Sequence, residues 1–276
     1  MKIRPISFHE LQFAYKLTQS ENWDTSYYEL KELFLTDPNG FFLCELKDKL
    51  IGIVSTVNFE NFGFIGNLIV LSEYRKKGFG KKLLDHAINH LYSKTKEIYL
   101  DAVPKYINLY KKFSFQPICR SLRFEGSLER HKGFKNLKPM KDIKFKDLIQ
   151  FDKKYFKANR SKLLKHRYNN FKENGNVIKE GNLIKGYLIC IPKDDYFLIG
   201  PWIMDPDEKN GSSLLKSISY KSKKKFRLGV LENNCKALRI LKENNFKQYS
   251  YSIRMGLGIK DIQSQAVYSL AGPDRG

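Results

Sequence analysis

The stretch FIGNLIVLSEYRKKGFGKKLL, residues Phe64–Leu84, reads as strand, glycine-bearing turn and helix. Ile65, Leu68, Ile69 and Val70 form a β-rich apolar run, and Leu83, Leu84, Ala87, Ile88 and Leu91 recur at the spacing of one helical face. At the junction, Gly78 and Gly80 let backbone approach a ligand with no Cβ in the way. The first free amides of the helix point into that space with the positive end of the helix dipole behind them, a geometry that binds phosphate. Arg75, Lys76, Lys77, Lys81 and Lys82 flank the turn, so a polyanion such as a pyrophosphate is the expected ligand.

Composition narrows the remainder. At 276 residues the chain has room for two domains, and 42% hydrophobic residues with 14% aromatics suffice for packed cores. The start, MKIRPISFHELQ, lacks the apolar core of a signal peptide and no run approaches a membrane span, so a cytoplasmic protein without membrane partners is expected. Cys44, Cys119, Cys190 and Cys235 are scattered, which predicts buried reduced thiols, no disulfide and no metal. The net charge of +21 would suit nucleic acid, but lysine is spread along the whole chain and the sharpest run, 221–225, is broken by Ser222. A solvated basic surface is the favoured reading, and nucleic acid the less favoured one.

The order Arg75-x-x-Gly78-x-Gly80, after a strand and opening a helix, resembles the acyl-CoA signature of the GNAT superfamily of N-acetyltransferases. The dinucleotide turn GxGxxG fits less well, since Lys81, Lys82 and Leu83 supply no third glycine. The surrounding order agrees with the superfamily. A first strand MKIRPI precedes two helices, the second after Thr25 as N-cap. A turn at Asp37–Gly40 then opens an antiparallel meander, 41–46, 50–59 and the central strand. Strand 97–103 and a short helix in PKYINLYKKFSF follow, where Leu109-Tyr110 stands for the superfamily's LY pair and Ser114 replaces its usual glycine. One more strand runs to about Phe124.

The rest of the chain repeats this pattern. Leu50-Ile51-Gly52 corresponds to Ile184-Lys185-Gly186 and Gly66 to Gly200 at an offset of 134, while Leu83-Leu84 meets Leu214-Leu215 at 131. The three residues lost fall on the phosphate turn, which has become Asp205-Pro206-Asp207-Glu208-Lys209-Asn210-Gly211, with one glycine, no arginine and three carboxylates. Leu241 answers Tyr110, and Glu232 answers Asp101. The expected fold is therefore α/β (α+β), two GNAT-like domains, each a mixed, mostly antiparallel twisted sheet flanked by helices. Their expected bounds are 1–127 and 141–276 around a linker at 128–140. The second copy is degenerate, without CoA, and shapes the acceptor pocket; the order of the chain does not say which sheet its closing strand AVYSLAGPDRG joins.

The resemblance implies an acetyl-CoA-dependent N-acetyltransferase acting on a small-molecule or peptide amine. Backbone at Leu68, Ile69 and Val70 would pair with the pantetheine arm, and Arg75, Lys76, Lys77, Gly78, Phe79, Gly80 and Lys81 would hold the pyrophosphate. Tyr110 would protonate the CoA sulfur. Where many members place a glutamate, this chain has Asn67, which leaves Asp101 as a candidate base. Trp23 and Asp24, in the loop between the first two helices, are candidates to meet the acceptor, with Asn67 near them. A non-catalytic acyl-CoA sensor and an RNA-binding or RNA-modifying protein are the alternatives.

Overall fold

A computed structural model describes residues 1–129, 136–219, 224–259 and 265–276, and the chain divides into two compact units. Among the described residues the first unit comprises 1–117, 255–259 and Arg275, and the second comprises 118–254, 265–274 and Gly276. The expected bounds at 127 and 141 follow chain order, whereas these units do not. Of the expected linker, 130–135 lie outside the described residues, as do 221–223 of the lysine run.

In chain order the elements begin β1 (Lys2–Pro5), α1 (Leu11–Ser20), α2 (Tyr27–Thr36), β2 (Phe41–Leu46), β3 (Lys49–Asn58) and β4 (Gly63–Val70). There follow α3 (Phe79–Tyr92), β5 (Ile98–Ala102), α4 (Ile107–Lys111) and β6 (Gln116–Gly126). Next are β7 (Leu137–Pro139), α5 (Phe145–Phe156), α6 (Ser161–Phe171), β8 (Gly175–Glu180), β9 (Leu183–Pro192) and β10 (Tyr196–Met204). The chain closes with α7 (Gly211–Lys216), β11 (Lys225–Leu231), α8 (Cys235–Glu243), β12 (Lys247–Leu257) and β13 (Val267–Ser269).

The first unit's sheet runs β1-β2-β3-β4-β5 and is finished beside β5 by the C-terminal end of β12. Its neighbours from β1 to β4 are antiparallel, and β4–β5 is parallel. Helix α3 buries Leu83, Leu84, Ala87, Ile88 and Leu91, the face that the spacing predicts. Each leucine or isoleucine of this face contributes roughly 1.5–3 kcal/mol on leaving water. Helix α2 starts one residue later than expected. Ser26, not Thr25, is its N-cap, because Glu29 three residues on closes a capping box through the Ser26 amide at 2.8 Å.

In the second unit the order is β12-β6-β11-β10-β9-β8-β7, with β10–β11 parallel and β13 paired to β10. The repeat is preserved in register: Gly52↔Val70 and Ile53↔Ile69 recur as Gly186↔Met204 and Tyr187↔Ile203, each displaced by 134. The last strands differ from their order in the chain. Strand β6, which follows α4, pairs antiparallel with β11 from Phe226↔Gly126 to Leu231↔Ser121, and β5 receives the end of β12 instead. Periodicity shows that a segment is a strand, but not which strand accepts its hydrogen bonds.

Cys44 and Cys190 are buried as expected, whereas Cys119 is half-buried and Cys235 exposed; all four are free thiols. Each unit encloses an ion pair. In the second unit Asp152 takes both a bidentate Arg160 and the Tyr187 hydroxyl. In the first, Arg275 donates to Glu32 Oε2 at 2.8 Å and to the Glu29 carbonyl at 3.1 Å. Breaking such a pair strands a charge away from water at a cost of about 3–5 kcal/mol. Arg275→Ala should therefore lower the urea midpoint by about 1 M or more, whereas Lys2→Ala, at an exposed position, should leave it unchanged.

Candidate active site

Strand β4 carries a β-bulge. Ile53 faces Ile69 and Ser55 faces Gly66, so Asn67 and Leu68 together stand against Val54 alone. Asn67 accommodates this with φ of 50°, a left-handed conformation that asparagine tolerates better than most residues. On its other edge β4 pairs with β5 only from Gly63↔Ile98 to Ile65↔Leu100, and the pairing stops where the bulge begins. Beyond that point the strands part. Leu71 donates to Ile51 of β3 at 2.9 Å, so by strand alternation the amides of Leu68 and Val70 point into the opening. The Val70 carbonyl there accepts from Arg75 Nε at 2.8 Å. An exposed strand edge of this kind accepts an extended ligand as an added strand.

The phosphate turn lies at the end of the same strand. Gly78 is the N-cap of α3 at φ 85°, and having no side chain it leaves the first-turn amides without a side-chain cap. A Cβ on Gly78 would meet nothing within 4 Å, and one on Gly80 only Val70 Cγ2 at 3.9 Å. Packing therefore does not require glycine at 80, and the open space beside it matches the close approach that a diphosphate needs. Arg75 also makes protein contacts at the turn. Besides Val70 it holds the Glu21 carboxylate at the C-terminus of α1, which makes it a strut rather than a free cation. Lys77 donates to the Glu73 carbonyl at 2.8 Å and lies over the Tyr74 ring. Phe79 and Gly80 are half-exposed, and Lys76, Lys81 and Lys82 are exposed.

Tyr110 on α4 is half-buried with its ring edge-on to Phe115, and burial pushes its phenol up to about 12, with Tyr106 adding to the shift. Its carbonyl accepts from the amides of Phe113 and Phe115, while Ser114, in the place of the usual glycine, takes φ of 64°. Asp101 is half-buried on β5, one residue beyond the last β4–β5 pair. Asn67 is turned inward, donating to Ser55 Oγ at 3.0 Å with 6% exposure. Trp23 is half-buried and Asp24 exposed, in the α1–α2 loop, which Gln19 ties through the carbonyls of Trp23 and Thr25. Glu21 was not foreseen; its signal lies in sitting beside that loop as a carboxylate available to Arg75.

The second unit keeps the frame and loses the opening. Its bulge sets Gly200 and Pro201 against Ile189, and β10 pairs with β11 only from Tyr196↔Lys225 to Ile199↔Leu228. The space beyond is filled by β13. Met204, the counterpart of Val70, donates its amide to Ala266 at 2.9 Å, while Leu270 donates to the Gly229 carbonyl of β11 at 2.9 Å. Asn234 Nδ2 and Ser269 Oγ add bonds to Val267 and Ile199. The closing strand thus belongs to the second sheet. Gly211 faces side chains rather than open space, since a Cβ there would lie 2.7 Å from Ile240 Cδ1. Leu241 is buried in the core, and Glu232 clamps the Arg120 side chain at 2.6 Å. Among the described residues no cluster of His, Cys, Asp or Glu could hold a metal ion, and no helix is long and apolar enough to cross a membrane.

Known proteins share both halves of this arrangement. The pattern of the Acetyltransferase (GNAT) family matches residues 7–115, and that of an Acetyltransferase (GNAT) domain matches 148–269, together most of the chain. The chain is a tandem GNAT protein. Holothin acyltransferase of Pseudoalteromonas sp. (strain SANK 73390) is 26% identical over 203 residues, spanning 72% of this chain and 67% of the relative. A crystal structure of a Pyrococcus horikoshii protein classed with the acetyltransferases superposes with a TM-score of 0.84 at 21% identity, covering 100% of this tandem GNAT and 95% of its own chain. A tandem GNAT protein from the clavulanic acid biosynthesis pathway gives 0.63 at 10% identity, covering 95% and 99%. At these identities the two structures show the fold.

Two measurements check the site. Gly80→Ala should leave the thermal midpoint nearly unchanged, because the added Cβ meets only Val70 Cγ2 at 3.9 Å, yet weaken acyl-CoA binding at least tenfold. Calorimetric titration should give one acyl-CoA per chain, since β13 occupies the second opening.

Proposed function

We propose that this tandem GNAT is an acetyl-CoA-dependent N-acetyltransferase that acetylates a primary amine of a small molecule or peptide by direct attack in a ternary complex. The observation that carries this reading is the open β4 edge ending in an amide-lined, glycine-bearing turn, a combination that the first unit has and the second has filled. The amides of Leu68 and Val70 would hold the pantetheine arm and orient the thioester, and those of Phe79, Gly80 and Lys81, with Lys76 and Lys77 alongside, would hold the diphosphate. Acetyl-CoA supplies an acyl carbon activated as a thioester and a thiolate as leaving group. Attack by the amine forms the C–N bond and breaks C–S, with the oxyanion met by a backbone amide of β4. Asp101, directly or through water, is the carboxylate at hand for the proton lost by the amine. Trp23 and Asp24 would meet the acceptor.

The raised Tyr110 phenol refines its part. With a value of about 12 it stays neutral at any physiological pH, so it is present as a donor. Full transfer to a thiolate, whose conjugate acid is much more acidic than this phenol, is uphill. Tyr110 is therefore proposed to stabilise the departing sulfur mainly as a hydrogen-bond donor. Tyr110→Phe should retain acetyl-CoA affinity and lower turnover by about 10- to 150-fold, the value of a hydrogen bond to a charged group. Thiol release across an amine panel measures this. Unchanged turnover would remove Tyr110 from the mechanism, and tight binding without thiol release from any amine would favour the sensor.

A further inference from the structure

In the second unit the outer side of α5 and α6 carries charge that acyl transfer does not use. Both helices pack on β9 and on each other, and Arg160, the residue before α6, is anchored to Asp152 of α5. They form one layer, with Leu148, Phe151, Leu163 and Leu164 buried beneath it and the opposite sides facing water. From Phe145 to Phe171 the exposed charged residues are Lys146, Lys153, Lys154, Lys157, Lys162, Lys165 and a single carboxylate, Asp147. Lys146 and Lys153 are seven residues apart on α5 and Lys162 and Lys165 three apart on α6, so each pair shares one side of its helix. Among the described residues, none of these four ammonium groups has a hydrogen-bond, ion-pair or ring partner. The lysine-rich composition of the chain does not account for this concentration. Helices α1 and α2 begin 134 residues before α5 and α6 and are their counterparts. The equivalent span of the first unit, 11–37, exposes Lys16, Lys31 and Asp24, a surplus of one positive charge against five. Gln12, Gln19 and Tyr28 stand at the counterparts of Lys146, Lys153 and Lys162, and only Lys165 is answered by a lysine, Lys31.

Four unpaired cations held side by side repel one another, and an anionic partner relieves that repulsion. We infer that this layer binds the phosphate backbone of a double-stranded nucleic acid. Its other exposed residues, Gln150, Asn169 and Asn170, donate to phosphate oxygen as lysine does. No aromatic or aliphatic residue of the two helices is exposed. The layer therefore offers nothing to stack on unpaired bases, to enter a bilayer or to anchor a protein interface. A partner met by donors alone must present many anions without apolar contact, as a duplex does at one charge per about 1.7 Å of its axis. Helix α5, with 12 residues, is about 18 Å long, enough to follow several phosphates. This inference is independent of the acetyltransferase reading.

The test uses the full chain and a fluorescein-labelled duplex of about 20 base pairs, as DNA and as RNA, followed by anisotropy as salt is raised. Wild type should bind at low salt and weaken as salt rises. The variant Lys146→Gln/Lys153→Gln/Lys162→Gln/Lys165→Gln should lose about tenfold or more in affinity and reduce the salt slope on DNA by about 3, at roughly 0.9 for each phosphate contact. Its thermal midpoint and acyl-CoA affinity should match those of wild type. The equally charged variant Lys2→Gln/Lys16→Gln/Lys49→Gln/Lys247→Gln, altered at exposed positions outside this layer, should keep most of the affinity and slope. Absence of duplex binding at low salt, equal losses in the two variants, equal affinity for an unpaired strand, equal competition by polyglutamate, or binding to phosphatidylserine vesicles with the same dependence on the four lysines would each overturn the proposal.

Discussion

Two residues of β4 held against one of β3 decide what the first unit can do. Past that irregularity β4 no longer follows β5, and backbone donors that would be consumed inside a sheet face an opening. The strand then delivers its end to a turn whose amides are likewise uncapped. Polar backbone kept unpaired is costly in a folded protein, so a sheet that opens there and carries glycines facing empty space has the form of a receptor for an extended, anionic ligand. Arg75 keeps the geometry by tying the turn to the strand end and to the residue that closes α1.

The second unit shows what happens when the same constraint is met from within. The bulge recurs one residue over with the same register on either side of it, but β13 supplies the partner that the opening lacks, down to a hydrogen bond from the amide at the position equivalent to Val70. The chain's own strand satisfies the donors, the turn loses its glycine pair and arginine, and the remaining glycine faces side chains. The architecture is the same with the gap open or filled, because the sheet depends on pairing and not on what occupies the gap.

Much of this was legible in order and spacing. The glycine turn, the buried face of α3, the LY pair and the offset of the two copies all depend on local pattern, which a sequence displays directly. Four features were not. The bulge arises at Asn67, where an asparagine in a left-handed conformation does what a glycine more often does, and the run Gly66-Asn67 is only a weak sign of it. The seat of β13 and the partner of β6 are long-range choices that periodicity leaves undetermined. Arg75 was read as a phosphate cation because its motif position is conspicuous, whereas its actual partner, Glu21, is 54 residues away.

The placing of β6 and β12 bears on how the molecule comes into being. As the chain leaves the ribosome the first unit has its central strands and both pairs of flanking helices early, but the strand that covers the edge of β5 is made only after β6–β11. Until then that edge stays uncovered, open to the wrong pairing. The amino-terminal sheet is therefore completed by a strand that follows β6–β11 in the chain, a pairing between segments far apart in sequence.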